Sequence, residues 1–150
     1  MKIYEKALSL LKIRPHHSQE LARKLALRGF DQEAIFEVLV QLTDEGMLND
    51  EQYAQAYLES LIGYSAGGGS ASGGKTFGFY GLKAKLMQRG IEGNEAEALL
   101  KENLPFEKER ELALRILDKS SGLPKAKLAQ RLSAKGFKSD VIRSVLQDFC

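Results

Sequence analysis

Residues 21–30 read LARKLALRGF, residues 82–91 LKAKLMQRGI and residues 128–137 LAQRLSAKGF. These three stretches share Leu-x-x-basic-Leu-x-x-basic-Gly followed by Phe or Ile, so six of ten positions carry the same chemistry in each copy. Leucines four residues apart stack on one face of a helix, and the basic pair, also four apart, forms a second stripe beside them. Glycine after the last basic residue suits a left-handed C′ position, and the apolar residue after it suits the contact that a Schellman cap makes back onto the last turn. Each stretch is therefore expected to be a helix that stops at Gly29, Gly90 or Gly136.

A second helix is expected after each stop. Its apolar positions are Ile35, Val38, Leu39 and Leu42 in the first copy, Leu99 and Leu100 in the second, and Ile142, Val145, Leu146 and Phe149 in the third. Asp31 and Ser139 stand near the expected starts as caps, and Asn94-x-x-Glu97 reads as a capping box. Another helix should precede each motif, over residues 4–11, 50–62 and 107–117, and Ser18 is a plausible cap for the first motif helix. None of these helices is long enough to hold alone, so packing must supply most of their stability. The expected fold is all-α: three tandem three-helix repeats, over 1–48, 49–104 and 105–150, in an elongated, curved, solenoid-like molecule.

The first two motif copies are 61 residues apart and the last two 46. The excess is close to the length of a Gly/Ser segment at about 63–76, GYSAGGGSASGGKT, which reads as a flexible insertion between two helices of the second repeat. Within it, Gly69 to Thr76 formally matches the phosphate-binding pattern G-x-x-x-x-G-K-[ST]. That pattern works by a strand feeding the loop and a helix leaving it. Here a helix precedes it and eight of the nineteen residues 63–81 are glycine, so linker is the better reading.

Of 150 residues 43% are hydrophobic and 28% charged, which fits one domain or a short solenoid. No apolar run approaches a membrane span and the N-terminus lacks a signal-peptide layout, so a cytoplasmic protein without a membrane partner is expected. One cysteine, Cys150, excludes an internal disulfide. His16 and His17 are adjacent and have no further ligand types patterned around them, and no nucleophile–base arrangement occurs. No catalytic residue, metal or cofactor is assigned, and a monomer is expected.

Charge provides the remaining functional signal. Net charge is +2, yet residues 119–143 hold seven basic residues against one acid. Motif cations lie at helix ends, where the dipole stabilises them by ~0.3–1 kcal/mol each, which suffices to explain Lys24 and Arg28. The third repeat exceeds that need. The candidate contacts to a protein partner or to the phosphate backbone of single- or double-stranded DNA are Lys83, Lys85, Arg89, Lys125, Lys127, Arg131, Lys135, Lys138 and Arg143. A helix-turn-helix reading of residues 17–42 is the alternative. Its weakness is a second helix carrying Glu33, Glu37, Asp44 and Glu45 with no Lys or Arg.

Together with Gly46-Met47-Leu48-Asn49-Asp50-x-x-Tyr53-Ala54-x-x-Tyr57, the tripled motif resembles the RecX family of bacterial regulators of the RecA recombinase, over nearly the whole chain. The resemblance implies tandem three-helix units in an elongated, curved molecule. It also implies a non-enzymatic protein that binds the RecA–DNA filament in its helical groove and inhibits ATP hydrolysis, strand exchange and co-protease activity. On that basis the basic face of the third repeat and the helix starting near Leu82 would meet RecA or DNA. The sequence departs from the family pattern at Leu61, where Arg is usual, and at Lys75-Thr76-Phe77-Gly78-Phe79, where Phe79 replaces Pro.

Overall fold

The computed structural model describes residues 2–67, 76–120 and 122–147. Among these it contains nine α-helices and no strand. Their order is α1 (Ile3–Ile13), α2 (Ser18–Leu27), α3 (Gln32–Asp44), α4 (Asp50–Gly67), α5 (Phe79–Gln88), α6 (Gly93–Asn103), α7 (Phe106–Lys119), α8 (Lys125–Ala134) and α9 (Ser139–Gln147). Helices α1, α2 and α3 pack on one another, as do α4, α5 and α6, and α7, α8 and α9. This is the all-α, repeating architecture expected from the motif.

The three motif helices end as their sequences require. Gly29, Gly90 and Gly136 take φ of +91°, +96° and +83°. After them the amides of Phe30, Ile91 and Phe137 donate to the carbonyls of Leu25, Leu86 and Leu132 at 3.2–3.3 Å, and the glycine amides close the inner bond at 3.0 Å. These are Schellman caps. A fourth, outside the repeated motif, ends α3: Gly46 has φ +79° and the Met47 amide donates to Leu42 O at 2.9 Å.

The leucine stripes form the core. Leu21, Leu25, Leu82, Leu86, Leu128 and Leu132 are all fully buried. Side chains of α1–α3 make one apolar cluster, closed by Leu48. Those of α4–α9 make a second, continuous cluster that runs from Ala54 to Leu146. The second and third triplets thus share a core, while the first is joined to them by polar contacts and close backbone packing.

Glycine makes that packing possible. A Cβ on Gly136 would lie 2.1 Å from Gly81 N and 2.9 Å from Tyr80 C, and one on Gly90 would lie 2.8 Å from Gln19 Cβ and 3.2 Å from Glu20 N. Gly81 and Glu20 both immediately precede the first leucine of their motifs. The Gly turn of each later triplet therefore sits on the same place in the triplet before it, at the start of its second helix. Backbone bonds fasten the later joint: Gly78 N–H donates to Lys135 O at 3.0 Å and Tyr80 N–H to Gly136 O at 2.8 Å.

Several sequence expectations are corrected. His17, not Ser18, caps α2, its Nδ1 accepting from Gln19 N–H at 3.1 Å. Ser18 instead turns toward α4, where its amide donates to Asp50 Oδ1 at 2.8 Å and its hydroxyl to Asp50 Oδ2. The Asn94–Glu97 capping box does not form, because α6 starts at Gly93, with Glu92 as its N-cap two residues ahead of Asn94. Glu97 pairs with Lys83 on the neighbouring helix α5 at 3.4 Å. The segment at about 63–76 is shorter as a connection than the sequence suggests, since α4 runs on through Gly67. The phosphate-loop match up to Lys75, along with Phe149 and Cys150, lies outside the described residues. Asp31 caps α3 as expected, accepting from Ala34 N–H at 2.8 Å.

Two glycines of similar left-handed conformation, Gly29 at φ +91° and Gly136 at +83°, separate backbone strain from crowding. Nothing lies within 4 Å of a Cβ on Gly29. Gly29→Ala should cost ~1 kcal/mol from its positive φ alone. Gly136→Ala should cost several-fold more in urea denaturation, and equal losses would show that the joint does not depend on the missing Cβ.

Candidate partner-binding interface

Two carboxylates bind the starts of the motif helices from the next triplet. Glu109 of α7, 1% exposed, accepts with one oxygen from Phe79 N–H and Lys138 N–H, both at 3.0 Å. It thereby ties the start of α5 to the turn before α9. Asp50 plays the corresponding part for α2, through Ser18. A helix start presents unpaired N–H groups and positive potential, so an anion there is stabilising. Neither acid was singled out from sequence, since both look like ordinary first-turn acids. The only available signal for Asp50 was its place in the Gly46–Tyr57 motif.

That motif is now accounted for position by position. Gly46 makes the cap, Leu48 closes the first core, and Asn49 caps α4 by accepting from Gln52 N–H at 3.0 Å. Asp50 reaches back to α2, Ala54 is buried, and Tyr53 and Tyr57 stack with ring centroids 6.1 Å apart.

The candidate basic residues fall into three groups. At the later joint, Lys85 and Lys135 flank the Phe77 ring, with ammonium groups 5.1 and 5.6 Å from its centroid, and Lys138 lies 4.1 Å from the Phe79 centroid. Motif cations of two triplets thus converge on one aromatic turn. At the earlier joint, Arg89 lies 4.6 Å from the Tyr57 centroid and donates to Tyr53 Oη at 3.3 Å. It lines a cleft of about 480 Å³ with Arg14, Pro15, His16, Met47 and both tyrosines. On α8 and α9, Lys125 and Arg143 border a shallow groove floored by Ala129, Ile142 and Leu146, and Lys127 is exposed nearby. Arg131, itself exposed, donates to Ser120 Oγ at 2.8 Å, and Lys83 is held by Glu97 at 3.4 Å.

Charges around the first cleft are coupled. Arg14 Nη2 meets Glu20 Oε2 at 2.5 Å. Burial pushes the Glu20 carboxyl upward, but the Arg14 guanidinium more than reverses this and holds it below its ordinary value. His16 is buried, with Nδ1 donating to Arg14 O and Nε2 accepting from the Lys24 ammonium, both at 2.8 Å. Burial, reinforced by Lys24 and opposed by the Arg14 carbonyl, lowers the His16 pKa. A neutral ring is what this geometry requires.

Both depressed groups take up protons more readily when unfolded, so each contributes stability that is lost on acidification. The His16 contribution should decline as pH falls below the ordinary value of 6.5, and the Glu20 contribution below 4.5. His16→Gln should flatten the fall in melting temperature between pH 7 and 5. An identical profile in wild type and variant would refute the assignment.

Comparison with known proteins agrees with this construction. The profile described as RecX, first three-helix domain, matches residues 4–42. The regulatory protein RecX of Pseudomonas fluorescens is 33% identical over 147 residues, covering 93% of this chain and 86% of its own. That of Prosthecochloris aestuarii is 29% identical over 150 residues, covering 98% and 93%. The crystal structure of RecX from Lactobacillus salivarius superposes with a TM-score of 0.75 at 27% identity, over 98% of this chain and 94% of that one. With matching sequence over nearly its full length and a matching fold, the chain belongs to the RecX family of regulatory proteins.

Proposed function

We propose that this protein is a non-enzymatic cytoplasmic regulator that binds the RecA–DNA filament and inhibits RecA recombinase and ATPase activity, modulating recombination and DNA repair. Family membership along the whole chain carries this reading. The surface of the third triplet supplies a physical means. Helix α8 starts at Lys125, has Lys127 in its first turn and has no acid there. Cations at the positive end of a helix are disfavoured by ~0.3–1 kcal/mol each, so the dipole of α8 does not account for these lysines. An anionic surface brought alongside would offset that cost. Arg143, exposed on α9, extends the same patch. A protein bound along a filament needs no chemistry of its own to inhibit; it suffices that it binds one filament conformation more tightly than the conformation that turns over.

The helix-turn-helix alternative is disfavoured by charge. The outer face of α3 presents Phe36, 68% exposed, and Val40, 45% exposed, among acids, with no cation for phosphate.

Added to RecA on single-stranded DNA, the protein should slow ATP hydrolysis, and no change at several-fold excess would reject the reading. Lys125→Gln with Lys127→Gln should weaken the effect. If those residues meet single-stranded DNA, the salt dependence of binding should also flatten by ~0.7 per lost phosphate contact.

A further inference from the structure

The cleft between the first and second triplets holds a cation without a counter-ion. Among the described residues no carboxylate lies within ion-pair distance of Arg89, whereas Arg14 across the cleft is neutralised by Glu20. Arg89 is nonetheless fixed in place, stacked on Tyr57 and bonded to Tyr53 Oη through Nη1 alone. A guanidinium has five N–H donors in a rigid fork, so most of its capacity faces the cleft unused. Much of the surrounding wall is apolar or aromatic, from Pro15, Met47, Ala56 and the two tyrosine rings, with His16, Asn49 and Gln52 as its neutral polar members. Met47 is 55% exposed, and its unbranched thioether can adapt to an incoming side chain.

Charge decides between kinds of occupant. Residues 1–62 hold seven basic and ten acidic groups, so a long polyanion such as a nucleic-acid strand is repelled from this end of the molecule. A single carboxylate is not, because one bidentate contact to Arg89 satisfies it. Preorganised Arg and Tyr around a desolvatable pocket are also what concentrates binding energy at protein interfaces.

We propose that this cleft is a docking site for a partner protein and receives an aspartate or glutamate side chain flanked by an apolar residue. The assignment rests on the reading that the partner is the RecA filament, and it places the principal protein–protein contact at the first joint, away from the basic third triplet. Arg89 grips the carboxylate; Met47, Pro15 and the tyrosines cover the apolar neighbour.

Co-sedimentation with RecA filaments on single-stranded DNA tests it, with fluorescence anisotropy on labelled oligothymidylate as the nucleic-acid probe. Arg89→Gln should weaken filament binding by about tenfold or more. Met47→Glu, at a 55% exposed position whose part in the α3 cap is played by its backbone amide, should do the same by repelling the carboxylate, with little change in melting temperature. Neither should alter oligothymidylate binding. Wild-type filament affinity in both variants overturns the site while leaving the regulator intact. A loss of oligothymidylate binding instead of filament binding overturns it in favour of a nucleic-acid contact. Failure of the wild-type protein to sediment with filaments overturns the regulator reading, and the assignment with it.

Discussion

The arrangement of this molecule depends on how closely one backbone can approach another at its glycine turns. Gly90 and Gly136 are left-handed for the usual reason, to end a helix, but each is also pressed onto the start of a helix in the preceding triplet. A Cβ at either would intrude into neighbouring atoms at distances that real structures do not tolerate. One residue type therefore serves two constraints, stopping its own helix and admitting the next contact. The glycine turn meets an equivalent position of the preceding triplet in both joints, although only the later joint also shares a hydrophobic core.

Close approach brings helix ends together, and helix ends carry charge. Starts of α2 and α5 are held by Asp50 and Glu109, each donated by the following triplet. Ends of the motif helices gather cations, which find different partners at each joint: a stacked tyrosine pair for Arg89, and the Phe77 ring for Lys85 and Lys135. For Arg89, stacking on an aromatic face leaves the charge available, in contrast to pairing it with a carboxylate. The joints are thus structural connections that also present positive charge. The earlier joint does so within an acidic part of the chain, and the later one beside a strongly basic part.

The repeated motif was legible because its chemistry is local. Leucine spacing, the terminal glycine and the following apolar residue all act within one or two turns, and all three copies behave as read. The capping errors have one cause. Ser18 and Asn94 are good caps by type, but Ser18 finds a better partner in Asp50 across the joint, and the start of α6 is set by the tight turn at Gly90. Of the candidate basic residues, Arg131 and Lys83 turned out to be engaged within the molecule, which their type and spacing could not reveal.

Residue order alone shows that the chain is helical, that its helices come in similar groups, and that its charge is polarised toward the third group. These follow from periodicity, terminal glycines and composition, which need only neighbours along the chain. Tertiary structure alone decided that Glu109 and Asp50 are caps, that Phe77 is shared by cations from two triplets, and that Arg89 stands without an acid in an aromatic cleft. Apart from the Phe77–Lys85 contact, each of these joins residues some 30 or more positions apart, and their energies come from burial and direction, which a linear pattern does not encode.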